Sequence, residues 1–174
     1  MAKLRKGRSY TRLERPYTRI SKYKAKAFVK ASPAVKVVKA DMGNSKKSYE
    51  YVLELQSSKG LQIRQEAIEA ARQSCNRYLE KTVGKQNFFL KLRIHPHHVL
   101  RENPLAKGAG ADRFSTGMAH AFGKAVGRAA RVKQDQTVFS CYTNKEYVKN
   151  CKLGLKRAGY KLPCACKIQL NENK

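Results

Sequence analysis

Residues 49–95 read YEYVLELQSSKGLQIRQEAIEAARQSCNRYLEKTVGKQNFFLKLRIH, and the changes of period within them decide the fold class. Tyr49, Tyr51, Leu53 and Leu55 alternate with Glu50, Glu54 and Gln56, the period of a strand that buries one face. From about Ile63 to Val83 the spacing lengthens. Ile68, Ala71, Cys75, Tyr78 and Leu79 recur at helical intervals, which predicts one apolar stripe. Gly84 stands where a C-terminal cap belongs. Phe88 to His95 returns to period two, with Leu90, Leu92 and Ile94 on one face. The stretch is a β-α-β unit.

The plan recurs downstream. Gln136 to Tyr142 reads as a strand, and Thr143-Asn144-Lys145-Glu146 has the capping-box pattern of a helix start. Val148, Cys151, Leu155 and Ala158 line one helical face, Gly159 supplies the stop with Pro163 just beyond, and Cys164 to Leu170 closes as a strand. Upstream, Val35 to Lys39 reads as a strand and Asp41 to Ser45 as a turn. The expected fold is α+β: one domain with two β-α-β units and a mixed sheet, preceded by a basic N-terminal arm.

A chain of 174 residues suits one domain, or a domain plus an arm, and can bury enough surface to fold without disulfides. Its 41% hydrophobic content excludes disorder throughout. The longest stretch without Lys, Arg, Asp or Glu is Phe114 to Gly123, too short for a membrane span. The basic opening, Met1 to Lys6, leads into no apolar run, so no secretory signal is expected and the cytoplasm is the default address. Five cysteines, an odd number, fit a reducing compartment better than a disulfide scaffold.

Charge names the partner class. With 38 Lys+Arg against 12 Asp+Glu, the net charge is +26, a field that repels itself unless a polyanion neutralises it. No amphipathic anchor or lipidation site points to a membrane, so nucleic acid is the expected partner. Thirteen Lys/Arg fall in residues 1–40, against Glu14 alone, and Tyr10, Tyr17, Tyr23 and Phe28 are set among them. Residues 1–33 are therefore read as an RNA-binding arm and irregular lead-in. Its candidate contacts are Lys3, Arg5, Lys6, Arg8, Arg12, Arg15, Tyr17, Arg19, Lys22, Lys24 and Lys26. The second helix carries Lys145, Lys149, Lys152 and Lys156 on one face, where like charges are costly unless phosphates lie opposite.

Between the two units, residues 95–131 are Gly/Ala-rich and basic, and residues 96–115 are expected to form a long functional loop. His97, His98, Lys124, Arg128 and Arg131 are further candidate RNA contacts. Gly108-Ala109-Gly110-Ala111-Asp112-Arg113 lacks the third glycine of a dinucleotide fingerprint, and no Walker motif occurs. His95, His97, His98 and His120 have no acidic or cysteine partner at ligand spacing. Cys164 and Cys166, even joined by Cys141 and Cys151, form no CxxC knuckle. Glu102 and Asp112 are the only acids from 81 to 134, and no nucleophile–base pair is identifiable. No catalytic residue, metal, cofactor or small-molecule substrate is expected. The competing readings are a free-standing nucleic-acid-binding protein and a metal-dependent RNA-processing enzyme.

The string Pro96-His97-His98-Val99-Leu100-Arg101-Glu102-Asn103, then Gly108 to Arg113, Gly117-Met118 and Ala121-Phe122-Gly123-Lys124, resembles a universal large-subunit ribosomal protein family. The family is numbered sixteen in bacteria and ten, or ten-e, in archaea and eukaryotes. Arg15-Pro16-Tyr17-Thr18-Arg19, Asp41-Met42-Gly43-Asn44 and Glu69-Ala70-Ala71-Arg72 resemble further family segments, and the length and opening look archaeal. The chain departs from the pattern at Ala119, His120 and Ala125, which bears on a turn at 124–127. The resemblance implies a hammerhead-type α+β domain over 34–170, with a short tail at 171–174. It implies a ribosomal location, with large-subunit rRNA, neighbouring ribosomal proteins and the tRNA acceptor arm as partners. The central loop would approach tRNA near the peptidyl-transferase region, through Arg101, Glu102, Asn103, Lys107, Gly108, Gly110, Asp112 and Arg113. Peptide-bond formation there belongs to RNA, so a non-enzymatic protein is implied.

Overall fold

The computed structural model describes residues 3–20, 22–26, 29, 31–103, 106, 108–115, 117 and 123–173. Its elements in chain order are β1 (Asp41–Gly43), β2 (Tyr51–Ser57), β3 (Leu61–Arg64), α1 (Gln65–Thr82), β4 (Phe88–Leu92), β5 (His98–Glu102), α2 (Ala111–Phe114), β6 (Lys124–Val132), β7 (Thr137–Thr143), α3 (Val148–Gly159) and β8 (Cys166–Glu172). Short 3-10 turns cover Gly7–Tyr10, Lys24–Lys26 and Lys145–Tyr147.

Five strands form one sheet in the order β1-β4-β7-β2-β8, and three form a second in the order β3-β6-β5. The α+β class holds, and both β-α-β units are present in split form. β2 and β4 run parallel to each other with β7 between them, while β7 and β8 run parallel with β2 between them. Each unit thus lends a strand to fill the gap in the other, an interleaving of the ferredoxin-like kind. Every ladder is antiparallel as a result, and the expected mixed pairing is corrected.

One core joins the layers. α1 turns Ile68, Ala71, Cys75 and Leu79 inward, and α3 turns Cys151, Leu155 and Ala158 inward. They meet Leu53 and Leu55 of β2, Phe88 and Leu90 of β4, and Phe139 and Cys141 of β7. Full burial of each large side chain is worth about 1.5–3 kcal/mol, so this cluster dominates stability. Burial pushes the Cys75 thiol up to about 12, as befits a small apolar filler. The second sheet uses both faces. Ile63, Ala130 and Val132 join the main core, whereas Leu100 and Ala129 form a satellite cluster with Tyr10 of the arm.

Several boundaries shift for physical reasons. Residues 35–39 find no partner strand. Val37 is buried, but Val38 is 86% exposed, and the Lys36 amide bonds to Gln65 Oε1 instead of a ladder. The first helix begins at Gln65 because Leu61–Arg64 pair with β6 as β3. The capping box does not form. Thr143 ends β7 with its hydroxyl 3.4 Å from the Asn87 carbonyl, and a 3-10 turn precedes α3. Residues 96–115 are not one loop, since β5 takes His98–Glu102, and residues 124–127, where the chain's departures put a family turn in question, open the strand β6. β8 runs on through Asn171 and Glu172, so the first half of the expected tail is strand. Gly84 does cap α1, with φ +83° and its amide 3.2 Å from the Leu79 carbonyl.

Candidate nucleic-acid interface

The arm is built onto the second sheet. Tyr10, 8% exposed, packs against Leu100 and Ala129, with Leu4 and Val126 beside it. Its hydroxyl accepts the Arg5 amide at 3.0 Å and donates to Glu102 Oε2 at 3.3 Å. Burial is the chief reason its pKa is raised. Arg5 also reaches Glu102 Oε1 at 2.6 Å, and the Arg5 carbonyl accepts from Arg64 at 2.9 Å. The Gln62 amide donates to the Thr11 carbonyl at 3.0 Å, and the Gln62 side chain to the Tyr10 carbonyl at 3.0 Å.

A second fastening follows at Tyr17. Its amide donates to His98 Nδ1 at 2.9 Å, its carbonyl accepts the Val99 amide at 3.0 Å, and Arg101 lies over its ring at 3.8 Å. Farther on, Arg128 donates to the Pro33 carbonyl at 2.7 Å and also to the Ser32 hydroxyl. Six residues read as contacts to RNA or tRNA (Arg5, Tyr17, His98, Arg101, Glu102 and Arg128) therefore hold the arm to β5 and β6. Lys3, Lys6, Arg8, Arg12, Arg15, Arg19, Lys22 and Lys26 are exposed along the same segment. Pinning at Tyr10 and Tyr17 turns their charges outward. The Lys24 side chain, with Phe28, lies outside the described residues.

The base of the central loop rises from β5. Arg101 and Glu102 pair with Ala125 and Lys124 of β6, and the Asn103 side chain donates to the Gly117 carbonyl. Gly108 and Gly110 adopt φ +111° and +71° and lead into α2, where Asp112 and Arg113 are exposed. Lys107, Met118, Ala119, His120, Ala121 and Phe122 lie outside the described residues. His97 is exposed, its ring 4.4 Å from that of His95, whereas His98 is buried. Burial lowers the pKa of both His95 and His98. Lys124 and Arg131 are exposed on β6.

A separate basic surface lies on α3. Lys145, in the preceding turn, and Lys149, Lys152 and Lys156 are all exposed, and Arg157 stacks over Tyr78 of α1 at 4.1 Å. The sequence reading missed a third surface, the outer face of the five-stranded sheet. There Phe89 and Tyr142 stack at 5.5 Å, and Arg93 bonds to Ser140 at 3.0 Å and Tyr142 at 2.5 Å. Its signal was the outward set Phe89, Lys91 and Arg93, alternating with Leu90, Leu92 and Ile94. Among the described residues no three His, Cys, Asp or Glu side chains gather as a metal site, and no helix is long and apolar enough to cross a membrane. The arrangement is chemically that of a phosphate binder: outward cations on a backbone fixed by inward aromatics.

Comparison with known proteins agrees with this chemistry. Residues 14–169 match the family model described as ribosomal protein L16p/L10e. A "Large ribosomal subunit protein uL16" of Methanoculleus marisnigri is 51% identical over 146 residues, covering 84% of this chain and 86% of its own. Its namesake from Archaeoglobus fulgidus is 45% identical, with coverage of 92% and 89%. That from Staphylothermus marinus is 46% identical, with coverage of 95% and 92%.

Proposed function

Because the chain belongs to the ribosomal protein L16p/L10e family and is thereby a structural constituent of the large ribosomal subunit, we propose a division of labour among its surfaces. The family is not enzymatic, its partners are ribosomal RNA and ribosomal proteins, and its place is the cytoplasmic ribosome. Neither the free-standing binder nor the processing enzyme survives as a reading. In the proposed scheme, the outward cations of the arm and the lysines of α3 neutralise rRNA phosphates. The central loop, through Arg113, Asp112 and the backbone at Gly108 and Gly110, helps position the acceptor end of tRNA.

The observation that carries this reading is the Tyr10–Glu102–Arg5 clasp. It ties the arm to the residue at which the loop begins, so seating the arm on RNA also orients the loop. Gly at positions 108 and 110 meets the backbone requirement, since positive φ costs other residues about 1–2 kcal/mol.

The test is a tagged full chain followed through sucrose gradients after a high-salt wash, with tRNA accommodation measured on the purified subunits. Wild type and Arg113→Ala should both stay on the large subunit, while the variant slows accommodation. Arg101→Ala should add loss of arm order, because Arg101 also stacks on Tyr17. Normal accommodation with Arg113→Ala would remove the loop from tRNA positioning. Release of both proteins by salt would remove the shape-fixed seat on RNA.

A further inference from the structure

Two thiols at the entrance of β8 pack on the margin of the core and stand apart from the basic surfaces. Cys75, Cys141 and Cys151 are buried, but Cys164 and Cys166 are only partly so. Regular strand geometry would hold side chains at i and i+2 about 6.5–7 Å apart. Here the chain bends before β8 begins, and the two Sγ atoms lie 3.8 Å apart. Neighbours fix the bend. The Ser58 amide donates to the Ala165 carbonyl at 3.0 Å, Ser57 Oγ lies 3.5 Å from Cys164 Sγ, and Cys166 stands opposite Ser57 in the β2–β8 ladder. The Cys166 thiol also reaches the Cys164 carbonyl at 3.6 Å.

We propose that Cys164 and Cys166 form a reversible dithiol–disulfide site that exchanges with small-molecule disulfides of the glutathione class. The roles of the two sulfurs differ. A hydrogen bond from Cys166, opposed by burial and aided by Ser57, draws the Cys164 pKa down to about 6, so Cys164 is the attacking thiolate. The same bond, then burial, pushes the Cys166 pKa up and keeps it a thiol until its turn. In the first step Cys164 Sγ bonds to one sulfur of the small disulfide, whose S–S bond breaks and releases one thiolate. Cys166 then gives its proton to the released thiolate and attacks Cys164 Sγ, expelling the second small thiolate. Two protein thiols are oxidised, one small disulfide is reduced, and no further reactant is needed. β8 is an edge strand, which leaves the pair approachable.

Zinc is the competing occupant. Two sulfurs about 3.8 Å apart match one edge of a tetrahedron with 2.3 Å bonds, but a structural site needs four ligands. Among the described residues no third His, Cys, Asp or Glu joins them.

The test incubates the reduced full chain with oxidised glutathione and follows intact mass and peptide maps. Wild type should lose two hydrogens and show a Cys164–Cys166 link that excess reduced glutathione reverses. Cys166→Ser should trap glutathione on Cys164, because the mixed disulfide then has no second thiol to close on. Wild type that collects glutathione adducts without closing, or a Cys166→Ser variant that traps none, would overturn the proposal. So would stoichiometric zinc retained by the purified chain with both thiols shielded. The closure reaction needs no variant, so it decides the matter even if a serine disturbs β8.

Discussion

The Tyr10 ring fills the space between Leu100 and Ala129 while its hydroxyl links the Arg5 amide to Glu102, so its two ends can be tested separately. Tyr10→Phe keeps the ring and should cost about 1 kcal/mol, the worth of a typical hydrogen bond. Tyr10→Ala also empties the satellite cluster and should cost about 3 kcal/mol, the low end for a buried aromatic. Because the main core does not include Tyr10, the loss should appear as local release of the arm. Tryptic cleavage after Arg8 or Arg12 should accelerate roughly a hundredfold in Tyr10→Ala, with little change in the global denaturation midpoint. The second fastening has a pH dependence. Burial chiefly depresses the His98 pKa; Glu14 opposes that shift, and Arg131 and Arg101 reinforce it. In the folded chain His98 stays neutral and accepts the Tyr17 amide, whereas the unfolded chain takes up a proton near pH ~6.5. Its contribution to stability is therefore complete above that pH, is lost as pH falls toward the lower folded value, and is flat below it. His98→Gln offers the same amide an oxygen that does not titrate. Urea midpoints at pH 7.5 and 5 should fall less for this variant than for wild type, and His95, present in both, cancels in the comparison.

At the scale of elements, α1 and α3 cross where Gly154 faces Leu79. A Cβ at 154 would lie 3.0 Å from Leu79 Cδ2 and 3.2 Å from Cγ, and Leu79 is fully buried in the core, where a shift must displace packed neighbours. Gly154→Ala gains about 1 kcal/mol of helix propensity but meets an overpacking cost of about 1–3 kcal/mol. Net destabilisation is expected, read as a lower urea midpoint. Gly43 is a harder case. Its φ is +86°, and a Cβ would lie 2.2 Å from the Phe88 carbonyl oxygen, which is backbone and cannot rotate away. Gly43→Ala should cost about 3 kcal/mol or more and loosen β1 from β4, visible as faster exchange of the Asn44 amide that bonds to that carbonyl. The elements readable in the sequence were those whose own residues carry the period: Ile68, Ala71, Cys75 and Leu79 in α1, and Leu90 and Leu92 in β4. β6 was not readable. Its KAVGRAARV has small residues because the arm packs on one side and the core on the other; a Cβ at Gly127 would sit 3.2 Å from Leu4 Cδ1. β3 was not readable as a strand: it has only four residues, and the helix was read from about Ile63, which takes in its last two. The site was legible by charge but not by pairing. His98, Arg101 and Glu102 have the chemistry of RNA or tRNA contacts, yet each is engaged by a residue more than eighty positions away.

For the whole molecule, the net charge of +26 is spread over surfaces that answer to different partners. Among the described residues, the ion pairs Arg5–Glu102, Lys36–Glu66, Arg72–Glu69 and Lys167–Asp135 each take up one basic side chain, in a chain that carries 38. Three of them involve a basic side chain or acid close to the core or arm seam, so internal pairing does little to neutralise the arm's outer side or α3. If both surfaces meet phosphate, each lost contact should remove about 0.7–0.9 from the slope of log affinity against log salt. Changing Lys145, Lys149, Lys152 and Lys156 together to Gln should flatten that slope by roughly 3 for binding to a large-subunit rRNA transcript. Changing Arg8, Arg12, Arg15 and Arg19 to Gln should do the same, and the two sets should add to the extent that they contact separate phosphates, since they stand on different elements. Thermal stability should hold or rise in the α3 variant, because four like charges at helical spacing repel one another. An α3 variant that gains stability with an unchanged slope would make that face a solvated one and leave RNA binding to the arm and the sheet. A slope that flattens for α3 but not for the arm would invert the assignment, reducing the arm to a brace for the loop that Tyr10 and Glu102 join.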